Sequence, residues 1–388
     1  MAAKHLTILD ARTNSFAGSE NPSATAELKG DGNSPLSVLK KRLFVGTSEG
    51  VDIVRVTNGD FTFTVIPTRG MSVHSAYYKD EFIGWNSPVN GPVHPKYVAV
   101  SEPSGLGWLD GFDELLVRCG LESNGAPEHD PETGRLLYPL HGRVANKPAH
   151  KVTATIDGDE VIVTGVVDEV RFHFLKLRMT SEFKLRVGEN GFRIRDTVEN
   201  LSQSPAEIQM LYHMNFGDPL LDAGSRVVAP IKTLVPRNDH AASGLDNWDN
   251  YEAPQAGFEE QVYFFELLAD RAGNTKTMLK NAHGTRGAAL SFNKNQLPVF
   301  TTWKNTTAIS DGYVTGIEPG TNFPNPRTYE GKQGRVTKLA GGGKTEFDFG
   351  FEYLVGDRVN AVEAEIRQLQ GSTRPTIHKS PQDGWCAP

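Results

Sequence analysis

Short runs of alternating apolar and polar residues follow one another along the chain from Arg42. In the segment 42–85 these runs are interrupted by turn residues at Glu49-Gly50, at Asn58-Gly59-Asp60 and at Lys79-Asp80. Successive side chains of a β-strand point to opposite faces, so the alternation predicts strands with one buried face. Strands joined by such short turns predict an antiparallel meander.

Strand patterns resume after residue 150 and continue to about residue 355. Turns at Asp157-Gly158-Asp159 and at Glu189-Asn190-Gly191 separate strands of six to ten residues. Repeated short strands of this kind are typical of a β-sandwich. We therefore predict an all-β fold, a large antiparallel β-sandwich with few short helices.

Helical patterns are sparse. Apolar residues recur near a helical period in GWLDGFDELL, residues 107–116, which predicts one short helix or an irregular turn. Residues 236–258 are a long polar stretch, which in a compact domain is typical of a functional or edge-covering segment. A terminal helix is predicted over Val359–Leu369.

The pattern predicts a single β-sandwich domain over residues 42–370. Residues 1–41 are rich in Gly, Ser, Asn and Lys with weak periodicity, so we expect an N-terminal arm or short strands on the surface. Residues 371–388 are predicted to form a loose C-terminal tail. No internal repeat and no linker composition divides the region between these two segments.

Composition narrows the class of partner. The 388 residues carry a formal net charge of −7 with a pI near 5.9, and Lys and Arg are scattered. This charge argues against a nucleic acid or an anionic membrane and favours a small neutral or polar molecule. Two cysteines, Cys119 and Cys386, lack CxxC spacing, which excludes a disulfide framework and a Cys-type zinc site. With no apolar run long enough for a signal or a membrane span, we expect a cytoplasmic protein, and a homo-oligomer remains open.

Two strand-like segments carry titratable side chains in apolar surroundings. Leu211–Leu221 (LYHMNFGDPLL) presents His213, and Gly316–Asn322 (GIEPGTN) presents Glu318. Imidazole and carboxylate are well suited to proton transfer near neutral pH. The alternative is structural, with His213 a satisfied core histidine and Glu318 a turn residue before Pro319. Because the two positions are far apart in the chain, only the fold can bring them together.

Three short motifs together resemble those of one enzyme superfamily. HGRVAN at residues 141–146, LYHMNF at 211–216 and GIEP at 316–319 are similar to motifs of the aldose 1-epimerase (galactose mutarotase) superfamily, and the chain resembles its less characterised bacterial branch. The resemblance covers residues 42–356. It implies a galactose mutarotase-like supersandwich that uses no cofactor and no metal. The second motif departs from the galactose mutarotase pattern at Tyr212, where that pattern has Asn.

The resemblance also implies roles for individual residues. His213 would be the general acid, Glu318 the general base and His141 the ligand of a sugar hydroxyl. Arg143 and Asn146 match a Gly-Arg-x-Ala-Asn run that precedes the second histidine motif in the galactose mutarotases. In this chain the Gly-Arg-x-Ala-Asn run and the histidine are fused into the single motif HGRVAN. Arg143 and Asn146 are both predicted to bind substrate. The resemblance makes the predicted sandwich a catalytic domain whose partner is a small carbohydrate.

The interconversion of sugar anomers needs these residue types independently of the resemblance. A base takes the proton of the anomeric hydroxyl while an acid protonates the ring oxygen, and the ring opens to an aldehyde. Rotation about one bond and closure on the other face complete the reaction. Each positioned proton transfer contributes roughly 10²- to 10⁴-fold to the rate. We therefore predict an isomerase for a free sugar, with the two side chains on opposite sides of a sugar-sized gap.

Four further residues are candidates for binding substrate or supporting the acid. Arg69 could donate to two sugar hydroxyls or form an ion pair at a strand end. Asn322 could bind hydroxyls or form a turn, and Trp303 could stack on a sugar or pack in the core. Asp218 could orient His213 or belong to a turn before proline.

Three other functions stay open. A mutarotase for sugar phosphates would need several arginines at the mouth of the site, and Arg69, Arg143 and Arg327 are available. A non-catalytic carbohydrate-binding module would keep the sandwich without the chemistry, but it has no use for both His213 and Glu318. A sandwich domain that acts on acidic polysaccharide would carry a more basic surface than this chain does.

Overall fold

The structure is a computed structural model that describes residues 3–18 and 25–388. In that part of the chain it contains twenty-six strands and three α-helices, so the predicted all-β fold is confirmed. The first thirteen strands are β1 (Lys4–Asp10), β2 (Ser15–Phe16), β3 (Ala26–Lys29), β4 (Ser37–Arg42), β5 (Asp52–Thr57), β6 (Phe61–Ile66), β7 (Ser72–Tyr78), β8 (Glu81–Ile83), β9 (Leu116–Leu121), β10 (Glu128–His129), β11 (Leu136–Tyr138), β12 (Lys151–Asp157) and β13 (Glu160–Val170). The other thirteen are β14 (Lys176–Arg186), β15 (Gly191–Asn200), β16 (Ala206–Phe216), β17 (Arg226–Val228), β18 (Ile231–Pro236), β19 (Gln261–Leu267), β20 (Asn274–Lys280), β21 (Arg286–Asn293), β22 (Val299–Asn305), β23 (Val314–Gly320), β24 (Thr337–Leu339), β25 (Lys344–Val355) and β26 (Thr376–Ile377).

The helices are few and mostly short, as predicted. The α-helices are α1 (Asp239–Ser243), α2 (Arg327–Lys332) and α3 (Asp357–Gln370). Turns of 3₁₀ helix occur at Gly46–Ser48, Pro95–Tyr97, Gly107–Gly111, Val144–Asn146, Leu245–Asn247 and Ile309–Asp311. The 3₁₀ helix at Gly107–Gly111 is the short helix predicted in the segment 107–116. None of the helices in the described ranges has the length and apolar character needed to cross a bilayer.

The strands form two large sheets. One has ten strands in the order β17, β20, β21, β25, β15, β14, β13, β12, β1, β2. The other has fourteen, twelve of them in the order β26, β18, β19, β22, β23, β16, β9, β7, β6, β5, β4, β3, with β8 beside β7 and β24 beside β16. A separate small sheet pairs β10 with β11. Long antiparallel pairs such as β13 with β14 dominate, as the meander pattern predicts.

The core lies between the two large sheets. Along β13 and β14, buried and half-buried residues alternate as the sequence pattern predicts. Phe61 and Phe63 of the fourteen-stranded sheet pack against Phe192 and Phe351 of the other, and the ring centroids of Phe63 and Phe192 are 4.9 Å apart. Full burial of a phenylalanine side chain contributes about 1.5–3 kcal/mol, so this cluster is a major source of cohesion between the sheets.

A buried ion pair also joins the two sheets. Arg118 of β9 donates through Nε and Nη2 to both carboxylate oxygens of Asp196 in β15, at 2.8 and 3.0 Å. The hydroxyl of Tyr212 in β16 donates to the same carboxylate at 2.7 Å, and none of the three side chains has exposed surface. Tyr212 therefore points into the core, so the position at which the sequence departs from the mutarotase pattern is a core position.

Both predicted terminal segments contribute strands. β1 and β2 extend the ten-stranded sheet and β3 and β4 extend the other, so the predicted boundary after residue 41 falls inside β4. Residues 1–2 and 19–24 of the predicted arm lie outside the described residues. Near the other terminus β26 pairs with β18, and Cys386 packs in an apolar cluster with Val235 and Phe264. The predicted loose tail is therefore wrong, because these contacts attach it to the edge of a sheet.

The predicted terminal helix is confirmed by α3, which begins two residues before and ends one residue after the predicted span Val359–Leu369. One apolar face packs against Met278 and Leu354 of the ten-stranded sheet. The residues on that face are Val359, Val362 and Ile366. This spacing of three and four residues is the helical period read from the sequence.

Candidate active site

His213 and Glu318 lie side by side on neighbouring strands. His213 belongs to β16 and Glu318 to β23, and the antiparallel register of these strands pairs Met214 with Ile317. This register places His213 opposite Glu318, with Nε2 of the imidazole 3.3 Å from Oε1 of the carboxyl group. The fold therefore brings together the two residues that the sequence analysis paired. They are called the imidazole–carboxylate pair below.

The predicted gap between these two side chains is not present. We expected them to face each other across a space the size of a sugar, but they are in contact. The reason is their placement on adjacent strands, where facing residues have Cβ atoms about 4.5–5.5 Å apart. No molecule fits between them, so a substrate would lie over both groups from one side.

The pair points away from the core between the sheets. Met214 and Ile317 belong to that core, and side chains one position further along a strand point to the opposite face. His213 and Glu318 are thus on the outer face of the fourteen-stranded sheet, where they are 4% and 1% exposed. An apolar cluster lies on this face, formed by Trp85, Trp108, Phe112, Val117, Cys119, Ala145, Leu211 and Val314. The pair therefore lies among these apolar side chains with very little surface exposed to solvent.

Asn215 fixes the tautomer of His213. Nδ2 of Asn215 donates to the backbone oxygens of Glu114 and His213, at 2.9 and 3.2 Å, so Oδ1 is the atom that faces the ring. Nδ1 of His213 lies 2.6 Å from this acceptor and must carry a proton. Nε2 is left to exchange a proton with the carboxyl group. Sequence reasoning missed Asn215, although a spacing of two residues places it on the same face of the strand as His213.

Asp218 does not orient His213, so that prediction is wrong. Its side chain is exposed, in the turn that follows β16 and continues into Pro219. Nδ1 of His213 already has Asn215 as its partner. The structure thus agrees with the alternative that Asp218 belongs to a turn before proline.

Burial sets the protonation of the imidazole–carboxylate pair. Burial, with a smaller contribution from nearby His141, lowers the pKa of His213 well below its usual value. Burial also raises the pKa of Glu318 well above its usual value. Within the described residues, no hydrogen bond satisfies Oε1 of Glu318 and favours its charged form. Both shifts favour the uncharged groups, a neutral imidazole beside a protonated carboxyl group, so the favoured form of the pair holds one mobile proton and has no net charge.

His141 brings a second imidazole to the site. Its ring centroid is 5.3 Å from that of His213 and 4.6 Å from that of Trp108. Nδ1 donates to the backbone oxygen of Asn124 at 2.9 Å, so Nε2 is an acceptor in the neutral ring. Burial lowers the pKa of His141 to about 4, which keeps the ring neutral at pH 7. The residue is only half-buried, so Nε2 is placed to accept from a hydroxyl that enters the site.

Two tryptophans border the pair. The Trp303 ring is 5.6 Å from that of His213, and its Nε1 donates to Oε2 of Glu260 at 2.7 Å. Trp108 is buried 6.2 Å from His213, and its Nε1 has no acceptor among the residues that the structure describes. Buried donors are nearly always paired, so this free N–H indicates a place for a polar ligand atom or a water. The sequence analysis predicted neither Trp108 nor Glu260 as a site residue. The apolar spacing around Trp108 indicates a core residue, and no sequence signal distinguishes Glu260.

Gly316 has no side chain, and the imidazole–carboxylate pair occupies the space that a side chain at this position would fill. A Cβ atom at this position would lie 2.2 Å from Oε1 of Glu318 and 3.0 Å from Cε1 of His213. Carbon atoms in favourable contact are about 3.5–4.0 Å apart, so even a methyl group would displace the carboxyl group from the imidazole. The glycine of the GIEP motif is therefore required by the contact itself.

The predicted sugar contacts of Arg69 and Asn322 are wrong. Arg69 has no exposed surface, and it donates to Oε1 of Glu114 and to Oδ1 of Asn146, both at 2.8 Å. Asn322 is equally buried, and its side-chain amide exchanges hydrogen bonds with that of Asn124, at 2.8 and 3.1 Å. Polar groups bonded in the interior are not accessible to a sugar, so both residues support the frame around the site.

Arg143 and Asn146 border a different cavity from the imidazole–carboxylate pair. Nη1 of Arg143 donates to Oε2 of Glu122 at 3.0 Å. Both residues line a cleft whose walls include neither member of the pair. His141 and Gly142 have left-handed backbone, with φ of 55° and 73°, which turns the chain between the two places. The fold thus places His141 beside the pair and Arg143 and Asn146 on the cleft, and the substrate contacts of these two residues stay a prediction.

The arginines considered for a sugar phosphate do not converge on the pair. Arg69 is bonded in the interior, and Arg143 is bonded to Glu122. Arg327 donates to the backbone oxygen of Glu122 at 2.6 Å and to the carboxylate of Glu207 at 3.1 Å. The geometry thus gives a phosphorylated sugar no cluster of these arginines beside His213.

Solved structures with this sandwich define the class of protein. A structure from Klebsiella pneumoniae subsp. pneumoniae MGH 78578, provisionally named an aldose 1-epimerase, is 35% identical over 98% of this chain and 99% of that chain, with a TM-score of 0.92. A galactose mutarotase-like protein from Clostridium acetobutylicum shares the fold at 15% identity, over 83% of this chain and 99% of that chain, with a TM-score of 0.57. A provisionally named aldose 1-epimerase from Escherichia coli K12 also shares the fold, at 12% identity over 79% of this chain and 100% of that chain, with a TM-score of 0.53. The protein is a member of the aldose 1-epimerase (galactose mutarotase) superfamily, as its motifs predict.

Within this superfamily the chain belongs to the family described as a domain of unknown function, DUF4432, whose model matches residues 48–353. The match includes His141, His213 and Glu318. No curated protein matches the chain.

Proposed function

We propose that this protein is an aldose 1-epimerase, an isomerase that interconverts the anomers of a free sugar. Glu318 is the general base and His213 the general acid. The observation that supports this most is their contact at 3.3 Å on one face of a sheet. The anomeric hydroxyl oxygen and the ring oxygen of an aldose are bonded to the same carbon, so the base and the acid that serve them must be neighbours. Facing positions on adjacent strands meet that requirement.

The proposed reaction exchanges protons only. In the reactive form Glu318 is a carboxylate and Nε2 of His213 carries a proton. Glu318 takes the proton of the anomeric hydroxyl, Nε2–H protonates the ring oxygen, and the bond between that oxygen and C1 breaks to leave an aldehyde. Rotation about the C1–C2 bond presents the other face of the carbonyl group. Nε2 then takes back the hydroxyl proton as the ring closes, and Glu318 returns its proton to the new anomeric oxygen.

The neighbouring residues have supporting roles in this proposal. Asn215 keeps the proton on Nδ1 of His213, so that Nε2 faces the substrate. Nε2 of His141 accepts a sugar hydroxyl, and the free N–H of Trp108 donates to another. The half-buried face of Trp303 packs against the C–H groups of the ring. These groups orient a neutral monosaccharide, which is the substrate class that the uncharged pair suits.

The purified protein is expected to accelerate the equilibration of freshly dissolved α-anomers of at least one neutral aldose. Two positioned proton-transfer groups contribute roughly 10²- to 10⁴-fold each. At saturating sugar, kcat should therefore exceed the rate constant of uncatalysed mutarotation by more than about a hundredfold. Polarimetry and exchange NMR on a panel of monosaccharides measure it. Binding without acceleration for every sugar of the panel would contradict the proposal and favour a carbohydrate-binding module.

The rate of this reaction is expected to be highest over an intermediate pH range and to fall on both sides. With two mobile protons the pair has no base, and with none it has no acid. Because burial lowers the pKa of His213 from 6.5, the second proton binds only at a pH below that value. Because burial raises the pKa of Glu318 from 4.5, the last proton leaves only above that value. A pH–rate profile gives the two apparent pKa values of the pair, and a profile with only one limb would refute the shared-proton model.

A further inference from the structure

A cleft of about 1200 Å³ opens beside the motif that carries His141. Three loops enclose it: the segment 95–103, the hairpin segment 134–138 and the tip 169–175 between β13 and β14. Arg143 and Asn146 also line it, whereas His213, Glu318, His141 and both tryptophans of the candidate active site do not. The cleft is therefore separate from the imidazole–carboxylate pair, and it is large enough for a small-molecule ligand.

Two buried polar atoms of the cleft lining have no partner within the described residues. Asn146 is 9% exposed, and because its Oδ1 accepts from Nη1 of Arg69 at 2.8 Å, the free atom is the donor Nδ2. Glu169 is 3% exposed, and because its Oε2 accepts from the backbone N–H of Leu121 at 2.8 Å, the free atom is Oε1. Unpaired buried polar groups are costly and rare in native proteins. One fixed donor and one fixed carboxyl oxygen together suit the hydroxyl groups of a ligand.

The charge of the cleft contrasts with that of the chain. Its lining has four basic residues, Arg135, Arg143, Lys147 and Arg171, and three acidic ones, Glu102, Glu122 and Glu169, whereas the whole chain has a net charge of −7.

Two of the three acidic residues of the lining are already engaged. Glu122 is bonded to Arg143, and the carboxylate of Glu102 accepts from backbone N–H groups of its own loop. Burial raises the pKa of Glu169 to about 6, so this group is still mostly a carboxylate at pH 7 and its free oxygen accepts a hydrogen bond. In the described part of the chain, Arg135, Lys147 and Arg171 form no ion pair within 4 Å of a carboxylate, although the guanidinium of Arg171 lies over the ring of Phe174, 4.7 Å from its centroid. These three cationic groups have no bound carboxylate to be displaced by an anionic ligand.

We propose that this cleft is a second binding site, for an acidic sugar: a small polyhydroxy molecule that carries a carboxylate or a phosphate group. Lys147 and Arg171 bind the anionic group, and Nδ2 of Asn146 and Oε1 of Glu169 bind hydroxyls. Binding at this site requires no turnover at the imidazole–carboxylate pair.

Isothermal titration of the full chain with glucose 6-phosphate, glucuronate, glucose and inorganic phosphate tests the proposal. At least one of the two acidic sugars is expected to bind, about tenfold or more tightly than both glucose and inorganic phosphate, since only it engages the cations and the buried polar atoms together. The comparison of the two acidic sugars distinguishes a phosphate group from a carboxylate group. If neither acidic sugar binds, or if inorganic phosphate binds equally well, the proposal is overturned.

Variants locate the binding. Lys147→Ala and Arg171→Ala are each expected to weaken it by about tenfold, because each removes one charge-assisted contact. Lys379→Ala and Arg374→Ala remove exposed cations outside the cleft lining and should leave it unchanged. Glu318→Gln should retain it, so a failure of the proposed epimerase activity would leave this result standing. Equal affinity in Lys147→Ala, Arg171→Ala and the unaltered protein would refute the assignment to this cleft.

Discussion

Replacing Glu318 with glutamine is expected to lower the rate of anomer interconversion by about 10²- to 10⁴-fold, the contribution of a positioned general base. Glutamine has nearly the volume of glutamate, so the packing against His213 and Gly316 is kept, but an amide cannot take the proton of the anomeric hydroxyl. Exchange NMR at saturating sugar, on the aldose that the unaltered protein turns over fastest, measures the loss. The loss should appear in kcat with little change in KM.

The matched control is Glu346→Gln, which makes the same chemical change on the outer side of the ten-stranded sheet, where the residue is exposed. It should retain full activity. A second comparison uses the unfolding midpoint, since removal of a buried carboxyl group with a raised pKa should leave stability unchanged or increase it at neutral pH. Undiminished kcat in the Glu318→Gln variant would remove the carboxyl group from the mechanism.

Asp196→Ala is expected to lower the free energy of unfolding by about 3–5 kcal/mol, the usual result of leaving one member of a buried ion pair without its partner. Asp196 accepts from Nε and Nη2 of Arg118 and from the hydroxyl of Tyr212, and all three side chains are fully buried. The substitution leaves Nε and Nη2 of Arg118 and the hydroxyl of Tyr212 without an acceptor between the sheets, and only Nη1 of Arg118 keeps its bond, to the backbone oxygen of Met71. Urea unfolding followed by circular dichroism measures the change.

Asp168→Ala is the control for this prediction. Asp168 binds Arg178 with the same two-bond geometry, at 2.8 and 2.9 Å, but the two side chains are 28% and 27% exposed. Water screens this pair, so its loss should cost about 1 kcal/mol or less. Equal destabilisation in the two variants would show that burial does not set the strength of the Arg118–Asp196 contact.

The sequence predicts the fold class because strand patterns are local. Alternation along segments such as β13 and β14 shows which face is buried, and turn residues mark where strands end. His213 and Glu318 are also visible locally, since each is a titratable residue inside an apolar strand. Their contact is not visible, because it depends on the register of two strands separated by more than ninety residues of chain.

The roles of individual polar residues were harder to predict. Arg69 and Asn322 have the chemistry of sugar ligands, but their partners inside the protein come from distant segments, and these contacts decide their function. Asp218 is close to His213 in sequence, yet it follows the end of the strand and is exposed. Asn215 could have been found, because two residues along a strand is the shortest spacing that returns to the same face.

Arg69 connects the cleft with the imidazole–carboxylate pair. It donates to Oδ1 of Asn146, which lines the cleft, and to the side chain of Glu114, whose backbone oxygen holds Asn215 beside His213. Because its guanidinium has no exposed surface, water cannot replace a lost partner. A substitution at Asn146 is therefore expected to disturb the support of His213 as well as the cleft.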